Sequence, residues 1–185
     1  MSGAGICHRV MKPNRVMKEK ELKAFCQKAR KAGALQAKVI QASSVITAQW
    51  VRYKCQYGCD GYGACLTCPP YSPTPDETAR MVEEFETGIL LRGNEHVNIT
   101  RVAAELEREI FLAGYYKAIA FGSGPCRFCE ECDVEADCKH SSLARPSMES
   151  AGIDVFQTVR NNGFDIRVVS DYRCKADYFA LVLVE

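Results

Sequence analysis

The sequence has almost no surplus of charge, only three histidines, no internal repeat and no apolar run of membrane-spanning length. Each absence excludes something. Recognition of nucleic-acid phosphates usually shows as a basic excess, whereas 24 Lys and Arg against 23 Asp and Glu leave a net charge of +1. Nucleic acid is therefore not expected as a partner. The one crowded basic stretch, "KEKELKAFCQKARKAG", is interrupted by Glu19 and Glu21 and reads as the solvated face of a helix. Three scattered histidines rule out a His-rich metal site. No segment approaches the roughly 20 apolar residues of a membrane helix, and no apolar signal-peptide run opens the chain. The expectation is a cytoplasmic protein without a membrane partner. Without solenoid repeats or low-complexity linkers, the 185 residues read as one domain.

What the chain does have is cysteine, eleven in all. Structural disulfides do not persist in a reducing compartment, and an odd total leaves at least one thiol without an intrachain partner. Eight of them fall into two groups: Cys55, Cys59, Cys65 and Cys68 in "KCQYGCDGYGACLTCPP", and Cys126, Cys129, Cys132 and Cys138 in "GSGPCRFCEECDVEADC". Clustered cysteines in a cytosolic chain point to metal.

The spacing separates the candidate metals. In Cys126-x2-Cys129-x2-Cys132, two-residue gaps let successive thiolates converge on one small object, as three corners of an iron–sulfur cubane require. Cys138 is the obvious fourth ligand. Lys139 and His140 follow it where ferredoxin runs carry Pro, which leaves room for a fourth ligand from elsewhere, including the first set. Zinc is the alternative, since four cysteines also suit a tetrahedral site, but zinc sites favour two separated Cys-x2-Cys knuckles. The second set therefore favours [4Fe–4S].

Cys55-x3-Cys59-x5-Cys65-x2-Cys68 matches neither ferredoxin nor radical-SAM spacing. Its glycines, 58, 61 and 63, would let backbone N–H groups approach sulfur, and such bonds tune a cluster's potential. A zinc knuckle remains the other reading of this set. Cys26 lies on an apolar helix face and belongs to core packing; Cys7 has no local company. Trp50 and Tyr53 precede the first set, either to shield it or to serve a core or interface. Arg127 and Arg145 are candidates to offset cluster charge, and His140 to replace Cys138. "GSGPC" is not a dinucleotide-binding glycine pattern.

Periodicity places these loops on an α/β framework. Leu22, Phe25, Cys26 and Ala29 mark an amphipathic helix ending near Gly33. "LQAKVIQA" reads as a strand, and "SSVITAQWVRYK" as an extended or partly helical segment leading into a first cysteine set that is all loop. Thr74, Pro75 and Glu77 form a helix start with a capping box, feeding the strand "GILLRG". A long helix with Val102, Leu106, Ile110 and Ala113 closes at Gly114. "YKAIAFGSG" is a strand, "RPSMESAGIDVFQTVRNNG" looks helical with a break at Gly152, and "FDIRVV" and "YFALVLVE" are strands. Several strands are apolar throughout, as strands buried on both faces are. The expected fold is a single α/β domain (1–185): a mixed sheet of about four to six strands flanked by helices, with cysteine-rich metal-binding loops at about 55–70 and 122–140.

"KCQYGCDGYGACLTCPPYSPTPDET", "CRFCEEC" and "ARPSMESAGIDV", with the apolar C-terminal strand, are similar to the DUF2284 family of predicted metal-binding proteins, from about residue 50 to the end. The resemblance implies a cysteine-rich, iron–sulfur-type protein of the kind common in anaerobic bacteria and archaea, with no settled activity. The family's cysteine pattern falls on Cys55, Cys59, Cys68, Cys126, Cys129, Cys132 and Cys138; position 65 is not dependably cysteine in it. A first site held by three thiolates would have one iron open to substrate or water, unless Cys65 or the remote Cys174 completes it.

Three functions follow as expectations. The first is an iron–sulfur protein with one or two [4Fe–4S] clusters passing electrons to a redox partner protein. The second is a zinc-stabilised interaction module. The third is an enzyme using an open iron at the first set.

Overall fold

The computed structural model describes residues 17–171 and 174–185; Cys7 lies outside them. The chain forms an α/β domain in the order α1 (Glu19–Lys31), β1 (Gln36–Gln41), α2 (Gln49–Gly58), α3 (Pro75–Glu83), β2 (Thr87–Gly93), α4 (Ile99–Leu112), β3 (Ala118–Phe121), α5 (Val155–Asn161) and β4 (Tyr178–Val184). The strands make one four-stranded sheet in the order β1-β2-β4-β3.

Every strand pairing is antiparallel, with Ile89 opposite Val182 and Ala120 opposite the same residue on the other side. The mixed sheet expected from the sequence is thus corrected. Among the described residues a parallel contact survives only as an isolated bridge between Gly122 and Ser147. The inference of a sheet buried on both faces holds, because this antiparallel sheet has two cores. Alternate residues of β2 and β4 divide between them. Ile89, Leu91, Ala180 and Val182 pack under α1 and α4. Leu90, Phe179, Leu181 and Leu183 face Val82 of α3, Val159 of α5 and Met148 and Ile153 of the connecting segment. Each fully buried Leu, Ile or Val side chain contributes roughly 1.5–3 kcal/mol, and these contacts hold both layers to the sheet.

Helix boundaries follow their local signals. Thr74 caps α3, and its capping box with Glu77 is formed; Gly114 ends α4 with a positive φ of 102°. Two expectations fail. "FDIRVV" is not a strand: β4 already has a neighbour on each edge, and the segment runs without regular structure, with Ile166 buried and Val168 77% exposed. In "RPSMESAGIDVFQTVRNNG" only α5 is helical, starting where the Asp154 side chain accepts from the Gln157 N–H. Residues 146–153 instead turn back on β3: Gly122 N–H donates to Pro146 O at 2.7 Å, and Met148 N–H to Gly122 O at 3.0 Å. Among the described residues no helix is long and apolar enough to cross a membrane.

Candidate metal centre

The first cysteine set is not all loop. Cys55 sits in the last turns of α2, and Cys59 follows one turn later at the helix end, in extended conformation. A spacing of four puts both on one side of the helix. Beyond Cys59 the chain is held by tight turns, with Gly63 N–H donating to Pro69 O at 2.7 Å, Cys68 N–H to Cys65 O at 2.9 Å, and Tyr71 and Ser72 N–H groups to Cys68 O. The Gly61 N–H points at Cys59 Sγ, 3.4 Å away, which is the close glycine approach expected of this loop.

Two devices dock this loop on the scaffold. Arg52 in α2 directs its guanidinium at the carbonyls of Pro70, Ser72, Pro73 and Ser150. Ser150 donates its hydroxyl to Thr67 O, and Ser72 donates its own to Ser150 O at 2.6 Å. The segment 147–150 thereby lies directly behind the first set. It can lie there because Gly152 turns with φ of 78° against Pro75, where a Cβ would come within 2.4 Å of the ring.

The second set is held from below. Arg145 makes a two-pronged pair with Glu107 of α4, both contacts at 2.8 Å and both side chains largely buried. Glu107 also accepts from the Ala120 N–H. Arg145 is therefore engaged in closing the loop on α4, and is not the free counter-charge the sequence suggested. Arg127 lines a neighbouring cavity together with Cys126 and Phe128.

The thiols gather in two places, but not divided as in the sequence. Cys126, Cys129, Cys132 and Cys138 line a cavity of about 220 Å³, and the fifth cysteine on its wall is Cys65. His140 shares this wall, its ring 5.8 Å from that of Phe128. Cys65 contacts Cys132 on one side and Cys68 on the other, so it joins the two sets. Cys55, Cys59 and Cys68 remain together as the first group: the Cys68 thiol is pushed up to about 11, by burial first and then by the nearby Cys65, Cys59 and Cys55. Burial also raises Cys55, with Cys59 and Glu149 adding to it and Arg52 opposing. Cys126 is raised by burial, a Phe128 backbone N–H lowers it, and Cys138, Cys132 and Cys129 press it upward again.

These shifts test whether a metal fits. Half-buried thiols crowd one another, and Arg52 is the one cation acting on them among these shifts. A bound metal supplies the missing positive charge and deprotonates its thiols outright. Among the described residues no three His, Cys, Asp or Glu side chains close on one point as a single ion requires. The thiols ring a space with room for several waters instead. Cysteines dominate the potential donors, with His140 on the wall of the second cavity and Glu149 beside Cys55 at the first, a set able to hold a metal.

The remaining candidates divide cleanly. Cys26 is buried on α1, as expected. Cys174 is exposed, 3.4 Å from the Ser170 hydroxyl, and lines neither thiol cavity; it does not reach the first set. Trp50 is half exposed on the wall of a further cavity of about 320 Å³ that also takes in Cys55 and Cys59. Tyr53 is exposed and stacked on Tyr57. Sequence reasoning missed Glu149, Arg52 and the Ser72–Ser150 link. Glu149 stands within "ARPSMESAGIDV", a motif noticed for its resemblance; nothing in its spacing marks a carboxylate turned inward.

Comparison with curated proteins and with solved structures returns no match. The family profile described as "Predicted metal-binding protein (DUF2284)" matches residues 38–184, a span that takes in both thiol groups and the segment behind them, and the chain accordingly belongs to the DUF2284 family.

Proposed function

We propose that this protein holds one or two [4Fe–4S] clusters and passes electrons to a partner enzyme. The observation that carries the reading is Cys65, which lines the second cavity beside Cys126, Cys129, Cys132 and Cys138 while touching Cys68 of the first group. Two thiol-rich groups joined through Cys65 suit a short electron path. A cluster bound at each would supply one-electron transfer at a potential set by burial and by hydrogen bonds to sulfur.

The chain's own residues do the rest. Cys126, Cys129, Cys132 and Cys138 would hold the second cluster, and Cys55, Cys59 and Cys68 the first. The Gly61 N–H already donates to a ligand sulfur and would raise the potential there. The Arg145–Glu107 and Arg52 anchors keep the loops in place whichever redox state is present, which limits reorganisation on electron transfer. The two-residue gaps of Cys126, Cys129 and Cys132, whose side chains line one cavity, support a cluster over zinc.

The test is the content of iron, sulfide and zinc, with an absorption spectrum, on protein purified without oxygen. About eight irons and eight sulfides per chain and a broad band that bleaches on reduction are expected for two cubanes. Two zincs and no sulfide would end the redox reading and leave a metal-stabilised interaction module.

A further inference from the structure

Glu149 is a buried carboxylate beside Cys55 at the first site, on a cavity wall it shares with Asp154 and Asp177. Its Oε2 is sealed from solvent without a hydrogen-bond partner. The side chain lines the 320 Å³ cavity together with Cys55 and Cys59, and it lies close enough to Cys55 to disfavour that thiolate. A buried polar atom without a partner costs roughly 1–3 kcal/mol, more if charged, and such an atom in a native fold calls for an explanation, a bound ion among the first. Among the described residues no arginine or lysine pairs with it: Arg52 is directed at backbone carbonyls, and Lys54, on the same cavity wall, lies over the Trp50 ring. Burial raises the carboxyl from its ordinary value, with its own backbone and Ser147 opposing; a cation placed beside it would reverse that cost.

The first site is also one donor short. Cys65 faces the second cavity, and Cys174 lies elsewhere. That leaves Cys55, Cys59 and Cys68, three thiolates for a group that takes four ligands. We infer that Glu149, buried beside Cys55, supplies the fourth, oxygen donor of the first-site cluster. The inference rests on the iron–sulfur reading above and gives the two clusters different work. The second, all-thiolate, only relays electrons. The first has a corner held by a carboxylate, a harder and more exchangeable donor for iron than thiolate. The cavity beside Cys55 and Cys59 gives small molecules a way in.

The experiment loads full-length protein with iron-57 and sulfide without oxygen and reads iron content, Mössbauer and electron paramagnetic resonance spectra. Wild type, Glu149→Gln, Glu149→Cys and Cys65→Ser are compared, with azide as the probe of the open corner. In wild type one iron of about eight should give a signal distinct from the rest, and azide should shift it. Glu149→Gln should alter that signal and Glu149→Cys abolish both it and the azide response, because a fourth thiolate then closes the corner. Cys65→Ser should leave it in place. On one-electron oxidation by ferricyanide, the Glu149→Gln first cluster should release one ferrous ion, [4Fe–4S]³⁺ giving [3Fe–4S]⁺ and Fe²⁺, so that retained iron falls from about eight to about seven.

Misfolding is checked on the metal-free protein. There Glu149→Gln removes a buried carboxyl whose Oε2 has no partner, so its melting temperature should equal or exceed that of wild type. Eight irons in wild type with a distinct signal untouched by either Glu149 variant, or lost in Cys65→Ser, overturns the inference and leaves the two-cluster reading standing. A wild-type protein without iron or sulfide overturns both.

Discussion

Replacing Arg52 with Met keeps the aliphatic stem in α2 and deletes the guanidinium, which makes it a direct test of how the first thiol group is held. Nη1 faces four acceptors: Ser72 O at 3.2 Å, Ser72 Oγ at 3.1 Å, Pro73 O at 3.0 Å and Ser150 O at 3.3 Å. Nη2 faces a fifth, Pro70 O at 3.3 Å. Each of these nitrogens has only two N–H donors, so the Nη1 contacts are shared and the set amounts to about three bonds. Hydrogen bonds from a charged donor contribute about 1.5–3 kcal/mol each. The group is partly exposed, and water can replace it at Pro70, so the loss should be about 2–4 kcal/mol. With a urea slope of about 1–3 kcal/mol/M, the unfolding midpoint of the metal-free protein should fall by roughly 1–2 M, with the slope unchanged. In loaded protein, iron should be lost from the first site alone. Cys55 and Cys59 ride on α2 while Cys68 rides on the loop that Arg52 ties to it, whereas the second set is anchored separately through Arg145. Arg52→Lys should resemble Arg52→Met, because a single ammonium cannot span these carbonyls. A change below about 1 kcal/mol together with full iron at both sites would refute the role given to Arg52.

Gly152→Ala forces a side chain into a left-handed turn and onto Pro75. At about 1–2 kcal/mol for the conformation and about 1–3 for the overlap, the melting temperature should fall by roughly 5–15 °C. Gly114→Ala has a comparable φ but open space around it, so its melting temperature should fall by only a few degrees. Cys174 is an exposed thiol lowered from its ordinary value by hydrogen bonds from Ser170 and the Asp171 backbone, while burial raises Cys26. Thiolate, not thiol, is alkylated, so the iodoacetamide rate at Cys174 should reach half its plateau at a lower pH than that of an unperturbed cysteine. Cys26 should stay unmodified until the protein unfolds. Peptide mapping across a pH series reads both, and equal rates at the two cysteines would contradict the assignment.

Local signals were enough for much of the framework. The capping box at Thr74 and Glu77, the apolar stripe of α1, the glycine stop after α4 and the apolar runs of β2 and β4 are each written in neighbouring residues, because helix ends and side-chain periodicity depend on the chain within a few positions. The two-residue gaps at Cys126, Cys129 and Cys132 likewise carry their chemistry in the spacing. Strand direction was not legible. An apolar run shows burial on both faces and says nothing of which strand lies alongside, so only the folded chain made every pairing antiparallel. Once β2 and β4 lie side by side and β3 takes the far edge of β4, "FDIRVV" has no edge of β4 left to join, whatever its own preference for extended structure. Tertiary structure also decided who belongs to which site. Cys65 is three residues from Cys68, yet the turn that bonds Cys68 N–H to Cys65 O sends the Cys65 side chain to Cys132, more than sixty positions away. Glu149 is ordinary in its own stretch and becomes a carboxylate with one buried, unpartnered oxygen because Gly152 and Arg52 dock that stretch behind the first thiols. Spacing determines what can converge on a metal; the long-range packing determines what does.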